Sequence, residues 1–308
     1  MIVAEELSKS FGKVKALDNL NIRVPRGVNG LIGPNGAGKT TLIHILSGLI
    51  KPDSGRVEVM GLEPWSQRCD LMRKMGVLLE RPVFPQSISG MRYILHVTRV
   101  LGIPEKEAVE ALRKVGLLNH AERKIAGYSA GMKIRLGLAK AIVGRPELVV
   151  LDEPTANLDP TGRMQLLKLI KRMHKEEDIG FLISSHVLPE LQKACSWVCL
   201  MHEGKAIEQD YVENLLEMYS SMVYALKVTK PDELATALRG LGLRVKVKNN
   251  TLYVRGDAST ICCEVPRLIS RTTSSSEYKI FDLADFLFEK LILKEKDFRA
   301  ALKMKDFS

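Results

Sequence analysis

Lys39 and Thr40 close a glycine-rich run, Gly33-Pro34-Asn35-Gly36-Ala37-Gly38-Lys39-Thr40-Thr41, that fits the pattern G-x-x-x-x-G-K-[ST]. The apolar pair Leu31-Ile32 precedes it and a helix-like run from Thr41 to Gly48 follows, so the loop joins a strand to a helix. Around such a loop the backbone N–H groups of Asn35, Gly36, Gly38 and Thr41 can curl onto phosphate oxygens, and the helix N-terminus adds partial positive charge. Lys39 is placed to reach the β- and γ-phosphates of a nucleoside triphosphate, and the Thr40 hydroxyl to ligate Mg2+.

Two further groups have a chemistry that suits this loop. Leu148 to Leu151 is an uninterrupted apolar run ending in Asp152 and Glu153. Such a run fits a strand buried on both faces of a mainly parallel sheet, whose carboxyl end is where ligands bind. There Asp152 would hold Mg2+ through water and Glu153 would polarise an attacking water. The apolar run from Gly180 ends the same way in His186, placed to reach a γ-phosphate, although a lone histidine is more often structural. Phe11, after a strand signal, reads on its own first as a core aromatic and second as a shelf for an adenine ring.

The elements that must position these residues follow from pattern. Ile2 to Ala4 opens a strand, and Leu20, Ile22 and Val24 alternate with polar neighbours as in a half-buried strand. Further strands are expected at 56–60 and 75–80, with a helix near 69–74. Pro82, Pro85 and Gly90 then break the chain, and residues 81–135 read as a helical subdomain. Ser129 is a natural N-cap for a helix over 129–143, and another helix is expected from Pro160 to Lys175.

In this order these pieces resemble the nucleotide-binding domain of ATP-binding-cassette (ABC) transporters over residues 1–215. Gly33–Thr41 is similar to the Walker A loop, and Tyr128-Ser129-Ala130-Gly131-Met132 stands at the signature sequence. Leu148–Glu153 is similar to Walker B, Ala156–Asp159 to the D-loop, and His186 to the switch histidine. Phe11 falls at the aromatic A-loop position, which implies stacking on adenine. The resemblance implies an α/β P-loop NTPase fold, ATP and Mg2+ as ligands, and hydrolysis with Glu153 and His186 as the catalytic pair. It also implies a head-to-tail homodimer in which Ser129 and Gly131 of one copy face the nucleotide held by the other, with Asp159 along the seam. Three positions depart from the pattern. Glu80 stands where the family's Q-loop carries Gln, and Ala130 and Met132 replace Gly and Gln in the signature. An acid at position 80 resembles the branch that serves separate ABC-2-type membrane partners, commonly exporters.

At 308 residues the chain has room for two domains, and no run approaches a membrane-spanning length of apolar residues. Together with the absence of a secretory leader pattern, this predicts a cytoplasmic protein; the resemblance further implies a place on the inner face of the membrane, peripheral to an integral permease as partner. Net charge is +10, and residues 223–308 hold sixteen Lys/Arg against eleven Asp/Glu. That excess suits a solvated surface, anionic lipid or nucleic acid. The alternative function is a soluble ABC ATPase acting on ribosomes or nucleic acid. Relatives of that kind carry two cassettes or a long coiled coil, and this chain has one Walker A loop and no sustained heptads, so no nucleic-acid partner is expected. The five cysteines lack metal-site spacing and are expected as buried free thiols. Residues 216–308 read as an accessory α+β module of order βαββαβα, with a two-residue turn at Asn249-Asn250.

Overall fold

The computed structural model of the chain describes residues 1–187, 191, 194–215, 223–227, 231–248 and 251–255. The chain divides into two compact units, Met1–Tyr211 and Val212–Ser308.

The first unit holds two sheets. Strands β1 (Ile2–Phe11), β2 (Val14–Val24) and β4 (Ser54–Val59) form an antiparallel sheet of order β2-β1-β4, in which Ile2 pairs with Val24 on one side and Val59 on the other. The second sheet has six strands in the order β5-β6-β7-β3-β8-β9. These are β3 (Val28–Ile32), β5 (Met75–Leu78), β6 (Leu148–Leu151), β7 (Gly180–Ser185), β8 (Trp197–His202) and β9 (Lys205–Tyr211). All neighbours are parallel except the β8–β9 hairpin. Every residue of β3, β6 and β7 is buried, as mainly apolar strands covered on both faces require, the buried polar residues among them being Asn29, Ser184 and Ser185.

The ends of these central strands deliver the chemistry. Helix α1 (Lys39–Leu46) follows β3 and packs Leu42, Ile43, Ile45 and Leu46 into the core formed by both sheets. Helix α2 (Arg68–Lys74) buries Leu71 and rests Met72 partly against the core, while Cys69 is exposed. That corrects the expectation of five buried thiols. Cys195 and Cys199 are buried, burial pushing the Cys195 thiol up to about 12 and Cys199 higher still. Cys262 and Cys263 lie outside the described residues.

Residues 81–135 carry α3 (Gly90–Leu101), α4 (Lys106–Lys114) and the first turns of α5 (Ala130–Ile142). Ser89 caps α3 by accepting from Arg92 N, and Gly102 ends it in the left-handed region. Helix α5 lies close on β5. A Cβ added at Gly76 would sit 2.0 Å from the carbonyl oxygen of Ala141, so only glycine admits that approach. Helix α6 (Pro160–Glu177) starts with proline at its first position and is tied to α4 by the Lys114–Glu177 pair and an Arg172–Lys114 carbonyl bond.

In the second unit β10 (Val223–Lys227), β12 (Thr251–Arg255) and β11 (Arg244–Lys248) form an antiparallel sheet in that order, with a helix at Pro231–Gly240. Leu234, Leu238, Leu243, Leu252 and Val254 make its core. The register pairs Lys248 with Thr251. The asparagines between them, and the elements expected over 260–293, lie outside the described residues. No helix among the described residues is long and apolar enough to cross a membrane.

Candidate functional site

The glycine-rich loop leaves β3 and enters α1 as a tight turn. Gly36 and Gly38 have φ of 82° and 98°. A Cβ at Gly38 would lie 2.5 Å from the carbonyl oxygen of Ala16, so both backbone sign and space demand glycine there. Gly33 N donates to the Ser185 carbonyl at 3.3 Å, which ties the loop to the end of β7. Asn35, Gly36 and Thr40 are exposed, Thr41 is half-buried, and Lys39 is buried. The Lys39 ammonium donates to Gly33 O at 2.7 Å and to Pro34 O at 3.2 Å, so its charge is held over the loop.

Strands β6 and β7 bring three further residues to this point. Glu153 Oε1 lies 3.3 Å from Lys39 Nζ, an ion-pair distance, and Oε2 lies 3.0 Å from His186 Nδ1. Asp152 is 1% exposed. Its Oδ1 accepts from Ser184 Oγ at 2.6 Å, while Oδ2 is sealed and has no hydrogen-bond partner among the described residues. Glu153 sits at φ 46°, a left-handed conformation that costs about 1–3 kcal/mol for a residue of this kind. Ser184 Oγ accepts from Glu153 N at 2.8 Å.

A second cavity, of about 380 Å3, is lined by Ser129, Gly131, Met132, Asn157 and Asp159 among others, and no residue of the loop 33–41 lines it. Ser129 caps α5, accepting from Met132 N, and Asp159 caps α6, accepting from Gly162 N at 2.7 Å. Tyr128, just before the cap, is buried, and its hydroxyl donates to the His120 carbonyl at 2.8 Å.

Phe11 ends β1 and is 49% exposed, which answers the choice between core aromatic and open ring in favour of the open ring. Lys9 Nζ stands 5.7 Å from the ring centroid. Asp53 accepts from Lys9 Nζ and from Ser10 N, each at 2.7 Å, and the Lys9 bond is the first cause holding its carboxyl below the usual range. Glu80 lies beyond the end of β5, half-exposed, and pairs with Arg81 at 3.6 Å. The structure thus gathers Lys39, Asp152, Glu153 and His186, and sets Ser129, Gly131 and Asp159 around a cavity of their own. Ser184 and Lys9 belong to no sequence pattern. The one signal for Ser184 is a hydroxyl pair, Ser184-Ser185, inside an otherwise apolar buried strand.

The family described as ABC transporter matches residues 17–156, and a second, described as a protein of unknown function (DUF2480), matches residues 267–308. The bacitracin transport ATP-binding protein BcrA of Bacillus licheniformis is 39% identical over 211 residues, 68% of this chain and 69% of that one. The lantibiotic transport ATP-binding protein SrtF of Streptococcus pyogenes is 40% identical over 227 residues, 72% of this chain and 97% of that one. Among solved structures, cbiO1 from Clostridium perfringens, part of the ABC transporter complex cbiONQ, shares 27% identity at a TM-score of 0.64 over 78% of this chain and 96% of that chain. The ATP-binding cassette MJ0796, in a dimeric post-hydrolysis state with ADP and Pi, shares the fold at 19% identity and a TM-score of 0.62, over 69% of this chain and 99% of that chain. At the identity and coverage of the two transport proteins, the chain belongs to the ABC transporter family, as a subunit that binds ATP and hydrolyses it.

Proposed function

We propose that two copies of this chain pair head to tail, hydrolyse ATP at two shared sites, and drive export through a separate membrane permease. The observation that carries the reading is the run of contacts beside the phosphate loop, from buried Lys39 to buried Glu153 and on to the exposed ring of His186.

Phe11 stacks on adenine, and the N–H groups of the loop cradle the phosphates. Lys39 exchanges its bonds to Gly33 O and Pro34 O for β- and γ-phosphate oxygens. Mg2+ fits the residues present. Asp152 Oδ2 is sealed without a hydrogen-bond partner among the described residues, as suits an oxygen set aside for a cation. Mg2+ takes few protein ligands and relies on phosphates and waters. Thr40 and, through water, Asp152 would hold it, and when bound it neutralises charge on the phosphates. Water attacks the γ-phosphorus as the bond to the β–γ bridging oxygen breaks and ADP leaves with the electron pair. Glu153 accepts the proton of that water. His186 orients the carboxylate through Nδ1, leaving its other ring nitrogen for a γ-phosphate oxygen. Glu80, half-exposed beyond β5, replaces the amide of the Q-loop.

Pairing is supported by the separation of the two halves of the site. The cavity at Ser129 and Asp159 is lined by no loop residue, and the start of α5 is a positive helix end suited to a γ-phosphate from a second copy. The two relatives are named for transport of bacitracin and of lantibiotics. Outward transport of a compound of that kind is the reading these names support.

The test is affinity capture from detergent-solubilised native cells with tagged Glu153→Gln, locked with ATP and Mg2+. Recovery of one polytopic membrane protein is expected. Recovery of ribosomal proteins or nucleic acid with no membrane partner contradicts the transporter assignment.

A further inference from the structure

Asp152 and Glu153 are consecutive acids with different surroundings, and one hydroxyl touches both. Ser184 is fully buried in β7. Its Oγ donates to Asp152 Oδ1 at 2.6 Å and accepts from Glu153 N at 2.8 Å. A serine hydroxyl has one proton to give and lone pairs to receive, so this geometry uses it in both senses. We propose that Ser184 is a positioning residue for ATP hydrolysis, fixing Asp152 with one oxygen available to Mg2+ and Glu153 in the strained backbone that turns its carboxylate toward Lys39 and His186.

Three observations carry this. The bond to Oδ1 leaves Oδ2 as the sealed, unpartnered oxygen of Asp152, so the hydroxyl decides which oxygen remains for a cation. Glu153 at φ 46° is in a region that a residue with a side chain holds only when its surroundings fix it. The bond from its N–H to Ser184, with the Ala156 N to Glu153 O turn bond at 3.2 Å, is what fixes it here. Register supplies the third: β6 and β7 pair Leu151 with Ile183, so Ser184 lies beside Asp152 where the strands end. Neither Ser184 nor its bonds enter the phosphate contacts, so it acts through the two acids.

The inference rests on the ATPase reading above, and the test separates the two. The probe is Mn2+ in place of Mg2+, titrated onto protein with a non-hydrolysable ATP analogue and followed by loss of the free-ion EPR signal; steady-state hydrolysis against Mg2+ is measured beside it. Wild-type protein that shows no metal-dependent nucleotide binding contradicts the ATPase reading itself. With wild type binding, Ser184→Ala is expected to weaken Mn2+ binding about tenfold, the scale of one charge-assisted hydrogen bond, and to lower turnover at saturating metal, with analogue affinity in EDTA within about twofold. Ser184→Ala with Mn2+ affinity and turnover within about twofold of wild type overturns the proposal on the same scale. Should the alanine variant not fold, Ser184→Thr and Ser184→Val decide. They share a shape and differ by the hydroxyl, so threonine near wild type with valine impaired in metal binding supports the proposal, and valine equal to threonine overturns it.

Discussion

Lys39 Nζ stands 3.3 Å from Glu153 Oε1, with the two side chains 6% and 9% exposed. A buried carboxylate that loses its cation is left uncompensated, at a cost of about 3 kcal/mol or more. Lys39→Ala is therefore expected to weaken ATP binding at least about tenfold, because charge-assisted bonds to phosphate are lost. It should also lower the melting temperature, and adding Glu153→Gln to it should recover part of that loss. Unchanged ATP affinity by calorimetry contradicts the phosphate-loop assignment, and an unchanged melting temperature contradicts the buried pair.

The open ring of Phe11 makes a separate prediction. Stacking on a base is worth about 1–3 kcal/mol, so Phe11→Ala should raise the Kd for ATP about tenfold while Phe11→Trp retains affinity. The strand end carrying this ring is tied by Asp53, whose carboxyl the hydrogen bond from Lys9 holds below the usual carboxylate range. A lowered carboxyl contributes its stabilisation above its unfolded value and loses it as pH falls through the folded one. The Phe11 contribution, measured as the wild-type to Phe11→Ala ratio in Kd, should thus stay flat from pH 8 to about pH 5. A ratio that collapses already near pH 6 contradicts the Lys9–Asp53–Ser10 tie.

Shared sites can be tested by mixing. Lys39→Ala lacks the loop lysine, and Ser129→Trp fills the cavity beside Asp159, so each alone should be inactive. In a two-fold dimer each mixed pair rebuilds one complete site, and random pairing should restore about a quarter of wild-type turnover. No recovery, with mixed dimers demonstrated by differential tags, contradicts the head-to-tail arrangement.

Thiol chemistry reports on the sheet. In a Cys262→Ser/Cys263→Ser background, a thiol reagent at pH 8 should label Cys69 and spare Cys195 and Cys199. Burial pushes the Cys195 thiol up to about 12 and Cys199 further, so both stay protonated and enclosed. Labelling of all three without denaturant contradicts the packing of β8.

Much of this architecture is legible in the chain because its central strands are continuous apolar runs that end in chemistry. Leu148 to Leu151 and Gly180 to Ser185 read as buried strands, and both are wholly buried. Polar strands are less legible. Lys205–Tyr211 has mixed composition and becomes a strand only as the antiparallel partner of β8, and β2 begins at Val14, well ahead of its apolar alternation at Leu20. The exposure of Phe11 is invisible in composition, since an aromatic after a strand signal fits either face. Ser184 is hidden for a similar reason. A hydroxyl in an apolar strand reads as a blemish until its two partners, 32 and 31 residues away in sequence, are seen beside it.

The most direct test of the central claim is ATP turnover by Glu153→Gln beside wild type, with light scattering on the same samples. Removing a general base lowers turnover about a hundredfold or more. Binding should be retained, and ATP with Mg2+ should convert the variant from monomer to dimer. Turnover within a few-fold of wild type, or a variant that stays monomeric with ATP bound, contradicts the account of Glu153 and of the nucleotide as the bond between two copies.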